Sequence, residues 1–151
     1  MSMVLTERRG ALAILTLNNP AQYNALAMGL VSDLSAALDA ALAAPAARAI
    51  VLTGAGKGFC SGAQFGGNTF SAGASVADRM RDGINPVIDK MRNLPIPIVV
   101  AVNGAAAGAG VGIALAGDIV VAARSARFIL SFARLGAVLD AGTSLAPVPC
   151  R

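Results

Sequence analysis

Residues 96–117, IPIVVAVNGAAAGAGVGIALAG, decide the fold. Valine and isoleucine dominate residues 97–102, which is typical of a strand buried on both faces. An Asn-Gly turn signal follows, and residues 105–112 carry almost no side chain, so peptide N–H groups there are left uncovered. A helix that begins near Ala109 would direct its positive end at the same place. The stretch therefore predicts a site for an anion or an oxyanion that is built from backbone.

Two other interpretations of this stretch stay open. It contains no charged residue, is long enough to span a bilayer, and has glycines at the spacing of membrane helix pairs. Against a membrane helix, Pro95 and Pro97 favour an extended start. A tight contact between a strand and a helix, without any binding site, would need the same small residues.

Composition indicates one globular domain. The 151 residues suffice for a sizeable core, and a content of 56% hydrophobic and 13% charged residues is too apolar for disorder. It is also more apolar than a typical lone soluble domain, which suggests surface intended for a partner or for a missing part of the chain. The net charge of +4, without a Lys/Arg cluster interleaved with aromatics, does not predict nucleic-acid binding.

The residue types that the chain lacks exclude several chemistries. Without histidine it cannot form Ser-His-Asp or Cys-His nucleophilic sites or His-ligated metal sites, and no metal is expected. Two cysteines, Cys60 and Cys150, are too few for a disulfide scaffold. Cys60 has no accompanying base and is interpreted as a packing residue. The N-terminal sequence MSMVLTERRG lacks the order of a signal peptide, so a cytoplasmic location is expected.

Strands and helices alternate along the chain, which implies a mainly parallel α/β arrangement. The repeated unit resembles a spiral of ββα turns more than an open doubly wound sheet. Residues 54–65 are expected to form a glycine-rich loop that matches neither a P-loop nor a dinucleotide fingerprint. Apolar periodicity predicts strands over 4–8, 11–17, 48–53, 97–102, 118–122 and 127–130, and helices over 28–43 and from 75 to about 93.

Four segments resemble, in order, motifs of the crotonase superfamily, the enoyl-CoA hydratases and isomerases. The resemblance implies an α/β, crotonase-like ββα spiral over residues 1–145, with residues 146–151 as a tail outside the family. It also implies that the C-terminal helical trimerisation region is missing, so the sequence is expected to be a truncated or frame-disrupted member. The four segments are NNPAQYNAL (18–26), AIVLTGAGKGFCSGAQF (49–65), PIVVAVNGAAAGAGVGIALAGDIVVAA (97–123) and ARFILSFARLGAVLDAGTS (126–144).

The resemblance further implies an oxyanion hole for the thioester carbonyl of an acyl-CoA. Its two donors would be the peptide N–H groups of Ala63 and Ala109. The coenzyme A thioester would be the substrate, and no separate cofactor is expected. Lys57 could meet a phosphate, although a solvated loop lysine is the alternative. The residues expected along the CoA path are Gln22, Tyr23, Ala25, Lys57, Ser61, Gln64, Phe65 and Gly110.

The acid–base positions depart from the family pattern. Hydratases that the chain resembles use two glutamates, and the matching positions hold Gly112 and Phe132, which cannot move a proton. Asp140 stands where similar isomerases carry an aspartate, so double-bond isomerisation is favoured over hydration. The alternatives are a turn residue at Asp140 and, for the whole chain, a catalytically impaired acyl-CoA-binding or assembly remnant. Asp118 is interpreted as structural, and a homotrimer or hexamer is expected if the chain assembles.

Overall fold

The computed structural model describes residues 2–43, 47–64, 78, 80–130, 132, 138, 139 and 141–143. It contains two sheets and three α-helices within these residues. The strands are β1 (Val4–Arg9), β2 (Leu12–Leu17), β3 (Ala49–Gly54), β4 (Gly58–Cys60), β5 (Ile98–Val102), β6 (Ala105–Ala107), β7 (Ile119–Ala122) and β8 (Arg127–Ile129). The helices are α1 (Met28–Leu42), α2 (Asn85–Arg92) and α3 (Ala109–Leu115).

The larger sheet has the strand order β1-β2-β3-β5-β7. β1 and β2 form the expected antiparallel hairpin, and β2, β3, β5 and β7 run parallel. Residues alternate between buried and half-buried along β2, β3 and β5. The expectation that β5 is buried on both faces is therefore wrong, because only the face with Ile98, Val100 and Val102 is fully covered.

The smaller sheet contains β4, β6 and β8, all parallel. The glycine- and alanine-rich composition of these two segments predicts loops over β4 and β6, and that expectation is wrong. Both strands are three residues long and are made of small or glycine-flanked residues that have little intrinsic strand preference. They form because backbones approach closely: a methyl group on Gly104 would overlap the Lys57 carbonyl oxygen, and one on Gly54 would lie 2.5 Å from that of Phe59.

From β3 onward, each strand of the larger sheet is followed by a strand of the smaller one. This gives β3–β4, β5–β6 and β7–β8, with α3 after β6, and it confirms the ββα spiral. The stretch 96–117 is thus divided into two strands and a short helix, so the single membrane helix is wrong. Across the described residues, no helix is long and apolar enough to cross a bilayer.

α1 packs on β1 and β2 of the larger sheet, and α2 packs against α1. Buried leucines of α1 and the buried face of α2 belong to one core with the strands. Lys90 on α2 joins the helices, because its ammonium group donates to Ser35 Oγ at 2.7 Å and to Asp39 Oδ2 at 2.8 Å. A π-helical turn, Met80–Ile84, leads into α2. The expected start of this helix, at residue 75, falls outside the described residues.

Candidate functional site

Each of the two candidate oxyanion donors follows a glycine with a positive φ. Gly62 has a φ of 89° and precedes Ala63, and Gly108 has a φ of 51° and a ψ of −126° and precedes Ala109. Glycine adopts such angles without steric cost. Because the ψ of a residue sets the direction of the next N–H, the two glycines orient the two donors. Ala109 itself is the first residue of α3 and does not have a positive φ, so alanine fits there.

The structure brings these two peptides together. A methyl group on Gly62 would lie 3.2 Å from the amide nitrogen of Ala109 and would overlap the carbonyl oxygen of Ala107. Neither the Ala63 nor the Ala109 N–H donates to a protein acceptor within the described part of the chain. Ala109 is buried and Ala63 is half-buried. Two neighbouring, unpaired amide donors can stabilise a negative charge that develops on one oxygen.

The segment before α1 is bound along the loop that carries Ala63. Ser61 donates its N–H to the Tyr23 carbonyl at 2.9 Å and its hydroxyl to the Gln22 carbonyl at 3.1 Å. The Gln64 side-chain amide donates to Gln22 Oε1 at 3.2 Å. Four of the residues expected along the CoA path therefore form one hydrogen-bonded cluster.

The other residues expected on that path are more scattered. Ala25 and Gly110 are buried, and a methyl group on Gly110 would overlap the Cys60 carbonyl oxygen. Lys57 is exposed and has no salt bridge to any described residue. Phe65 lies outside the described residues.

Asn24 is the residue that sequence reasoning missed. It is fully buried, and its side-chain amide donates to the carbonyl oxygens of Ala55, Gly58 and Phe59 at 3.0, 3.0 and 3.1 Å. Its Oδ1 accepts the Asn19 N–H at 2.8 Å. The signal available in the sequence was the third asparagine of NNPAQYNAL, which lies between Tyr23 and Ala25, two positions that were selected.

Asn103 holds the same loop from the other side. Its Oδ1 accepts the Gly54 N–H at 3.2 Å, and its Nδ2 donates to the Gly56 carbonyl at 3.0 Å. A longer bond of 3.4 Å reaches the Gly58 carbonyl. The loop between β3 and β4 is thus fixed by two asparagine side chains, which holds the peptides ahead of Ala63 in place.

The first position that holds a glutamate in similar hydratases has no room for one. A methyl group on Gly112 would overlap the Ala141 carbonyl oxygen and would lie 2.8 Å from the Ala141 Cβ. Ala141 is buried and has a φ of 52°. Phe132, at the second position, is also buried. Asp140, which directly precedes Ala141, lies outside the described residues.

Asp118 has the structural role that the sequence predicts. Its Oδ2 accepts the Ile98 N–H at 2.8 Å, and its own N–H donates to the Ile98 carbonyl at 2.9 Å. These two bonds align the starts of β5 and β7.

Cys60 is a packing residue, as the sequence predicts. The free thiol is fully buried in the core next to α3. Burial raises its pKa from the ordinary 9.0 to about 12, and a hydrogen bond with the Gly62 backbone offsets part of that rise. A thiol that stays protonated at neutral pH is a poor nucleophile.

We expect the free energy of unfolding to decrease as the pH rises above 9. The folded thiol keeps its proton up to about pH 12, whereas the unfolded chain loses it above 9.0, so the unfolded state binds fewer protons in this window. The contribution is complete below pH 9 and decreases by about 1.4 kcal/mol per pH unit between the two pKa values. Urea unfolding on both sides of pH 9 measures it. A Cys60→Ala variant should lack this part of the slope, and an unchanged slope in that variant would contradict the assignment.

Comparison with known proteins gives one consistent result. The sequence profile named "Enoyl-CoA hydratase/isomerase" matches residues 7–147. A "Probable enoyl-CoA hydratase" of Rhodobacter capsulatus is 44% identical over 131 residues, 87% of this chain and 50% of that protein. A "1,2-epoxyphenylacetyl-CoA isomerase" of Escherichia coli is 36% identical over 145 residues, 94% of this chain and 55% of that protein.

Solved structures agree with the sequence comparisons. The crystal structure of an enoyl-CoA hydratase from Polaromonas sp. JS666 superimposes with a TM-score of 0.85 at 38% sequence identity. The match covers 95% of this chain and 56% of the Polaromonas chain. This chain therefore spans about half the length of the relatives that it matches.

Proposed function

This chain belongs to the enoyl-CoA hydratase/isomerase family and has its crotonase fold, and we propose that it binds an acyl-CoA thioester and moves a double bond within the acyl chain. The observation that carries the proposal is the pair of adjacent, unpaired amides at Ala63 and Ala109, each oriented by a positive-φ glycine. Main-chain donors of this kind suit the thioester oxygen, because they act on charge without requiring a particular side chain.

The reaction begins with removal of a proton from the carbon next to the thioester carbonyl. The electron pair moves onto the carbonyl oxygen, and the Ala63 and Ala109 N–H groups stabilise the resulting enolate. Loss of one such donor typically lowers kcat by about 10² to 10³-fold. Return of the proton two carbons away converts a 3-enoyl thioester into the conjugated 2-enoyl thioester, so no atom is gained or lost.

Asp140 is the proposed acid and base for both transfers. One carboxylate can accept the first proton and give it back, whereas hydration requires an activated water and two groups that the family supplies as glutamates. At Gly112, the first of the two glutamate positions, Ala141 fills the space that a side chain would need. At the second position, Phe132 is buried. Asp140 directly precedes Ala141 in the sequence.

Acyl-CoA binding along the segment before α1 is part of the same proposal. The cluster of Gln22, Tyr23, Ser61 and Gln64 presents amide and carbonyl groups beside the Ala63 donor. Assembly into a homotrimer or hexamer, which the family resemblance implies, stays a prediction. A non-catalytic acyl-CoA-binding role is the second candidate, and the absence of both glutamates favours it.

Incubation with a 3-enoyl-CoA tests the proposed reaction. We expect the ultraviolet absorbance of the conjugated thioester to rise with the wild-type chain, and Asp140→Asn to slow that rise by about 10² to 10⁴-fold, the usual contribution of a positioned acid–base group. With a 2-enoyl-CoA, no hydration is expected.

Asp89→Asn, an exposed aspartate on α2, is the matched control and should keep wild-type turnover. Calorimetric titration with a saturated acyl-CoA separates the two candidates. Binding without any isomerisation would support the non-catalytic role, and turnover that Asp140→Asn does not change would remove Asp140 from the reaction.

A further inference from the structure

Gly112 is the contact point between α3 and the turn at residues 141–143. It lies inside the helix and is buried. A methyl group on Gly112 would have three atoms of Ala141 as its nearest neighbours: the carbonyl oxygen, the Cβ at 2.8 Å and the carbonyl carbon at 3.0 Å. Glycine is unfavourable inside a helix, but it allows two backbones to approach this closely. The missing side chain therefore makes room for the turn.

The turn is held from a second side by α2. A methyl group on Gly142 would lie 3.5 Å from Ile88 Cγ2 and 3.8 Å from Arg92 Nη1, so the turn lies against this helix. Ala141 and Gly142 have φ angles of 52° and 70°, and Ala141 is buried. A left-handed alanine is unfavourable and persists where the surrounding structure holds it. The contacts with α3 and α2 supply that constraint.

The turn is anchored one helical turn away from a proposed oxyanion donor. α3 begins at Ala109, and Gly112 follows three residues later. Residues with this spacing lie on the same face of a helix, about 4.5 Å apart along its axis. The residues that follow Asp140 are therefore fixed to the helix whose first residue is the proposed donor.

We propose that Gly112 is a positioning residue for isomerisation: by docking the turn at residues 141–143 on α3, it holds the carboxylate of Asp140 in place relative to the oxyanion donors. This role rests on the proposed function. It makes the small size of residue 112 a requirement of the reaction, beyond the loss of the carboxylate that similar hydratases carry there. A side chain at this position displaces the turn, and a displacement of about 1 Å can lower a rate about 10²-fold.

A Gly112→Ala variant tests this role with two readouts. We expect kcat for a 3-enoyl-CoA to decrease about 10²-fold while KM stays near the wild-type value, because the proposed acyl-CoA contacts before α1 are unchanged. The second readout is the absorption of bound 2,4-hexadienoyl-CoA. It should still shift to longer wavelength, because the Ala63 and Ala109 N–H groups still draw charge onto the thioester oxygen.

Two glycines provide controls for these readouts. Gly29→Ala changes a glycine of α1 whose added methyl group would come within 4 Å of one described atom, Met3 Sδ on a flexible side chain, and it should keep wild-type turnover. Gly108→Ala reorients the Ala109 N–H, so a folded variant should lose the absorption shift.

Two further variants make the test independent of how well Gly112→Ala folds. Ala141→Val crowds the same contact from the side of the turn and leaves the sequence of α3 unaltered, so it should show the same loss of kcat and the same retained shift. Gly112→Glu restores the residue of similar hydratases, but it should lose isomerisation without gaining hydration of a 2-enoyl-CoA.

The outcomes separate the positioning role from the proposed function. Wild-type kcat in Gly112→Ala or in Ala141→Val, or hydration by Gly112→Glu, would overturn the positioning role. Loss of the absorption shift together with kcat would also overturn it, because the substitution would then act on the oxyanion donors. A wild-type chain that shifts the absorption of the dienoyl-CoA but does not isomerise a 3-enoyl-CoA would instead refute the proposed function.

Discussion

Replacing Gly62 with alanine is expected to abolish activation of the thioester and to destabilise the fold. The new methyl group would overlap the Ala107 carbonyl oxygen, and alanine would have to hold a φ of 89°. Such backbone angles cost about 1–3 kcal/mol for a residue with a Cβ, before any steric overlap. Because Gly62 orients the Ala63 N–H and lies against the Ala109 amide, both donors should be displaced. We therefore expect isomerisation to decrease by more than the about 10² to 10³-fold that follows loss of a single donor.

Two other glycines separate the contributions to this effect. Gly10 lies in the β1–β2 turn with a φ of 59° and open space around it. The stability of a Gly10→Ala variant therefore measures the cost of backbone strain alone. Gly108→Ala also has open space around it, at a φ of 51°, but it sets the direction of the Ala109 N–H. Gly108 also has a ψ of −126°, outside the left-handed helical region, so Gly108→Ala should be the less stable of the two. We expect a folded Gly10→Ala variant to keep turnover and a folded Gly108→Ala variant to lose it. Wild-type turnover in a folded Gly62→Ala variant would show that this pair of amides does not hold the reacting oxygen.

The sequence predicted the elements whose signal is local. β5, the turn after it and the start of α3 at Ala109 follow from valine-rich, Asn-Gly and small-residue patterns within one short stretch. The Gly62–Ala63 and Gly108–Ala109 peptides were selected by motif, and the fold brings them into contact. These features could be predicted because the residues that form each sequence pattern also form the corresponding structure.

The strands β4 and β6 could not be predicted in this way. Glycine and alanine have low strand preference, and these strands exist only because β4, β6 and β8 pair with one another across distant parts of the chain. The lack of space beside Gly112 could not be predicted from the sequence either. A sequence shows that the glutamate is missing, but only the fold shows that the Ala141 backbone fills its place.

Asn24→Gly is expected to lower the free energy of unfolding by about 3–5 kcal/mol. Glycine keeps the φ of 55° without strain, so the variant removes only the side-chain amide. Three carbonyl oxygens, on Ala55, Gly58 and Phe59, would lose a donor, and the Asn19 N–H would lose its acceptor. Each buried polar group left without a partner costs about 1–3 kcal/mol. The Gly58 carbonyl keeps its longer hydrogen bond to Asn103, so the total loss of stability should be smaller than the sum over all four groups.

The chemical origin of this loss can be isolated with two further variants. Asn24→Asp has the same shape but directs a carboxylate at three carbonyl oxygens, so at neutral pH it should be at least as destabilising as Asn24→Gly. Asn93→Gly removes an exposed amide whose one partner among the described residues is the Asp89 carbonyl, and it should change stability by less than about 1 kcal/mol. Urea midpoints at constant m-value measure all three. If Asn24→Gly and Asn93→Gly unfold together, the buried amide does not hold the β3–β4 loop, and the position of Ala63 must depend on Asn103 and the Ser61 contacts instead.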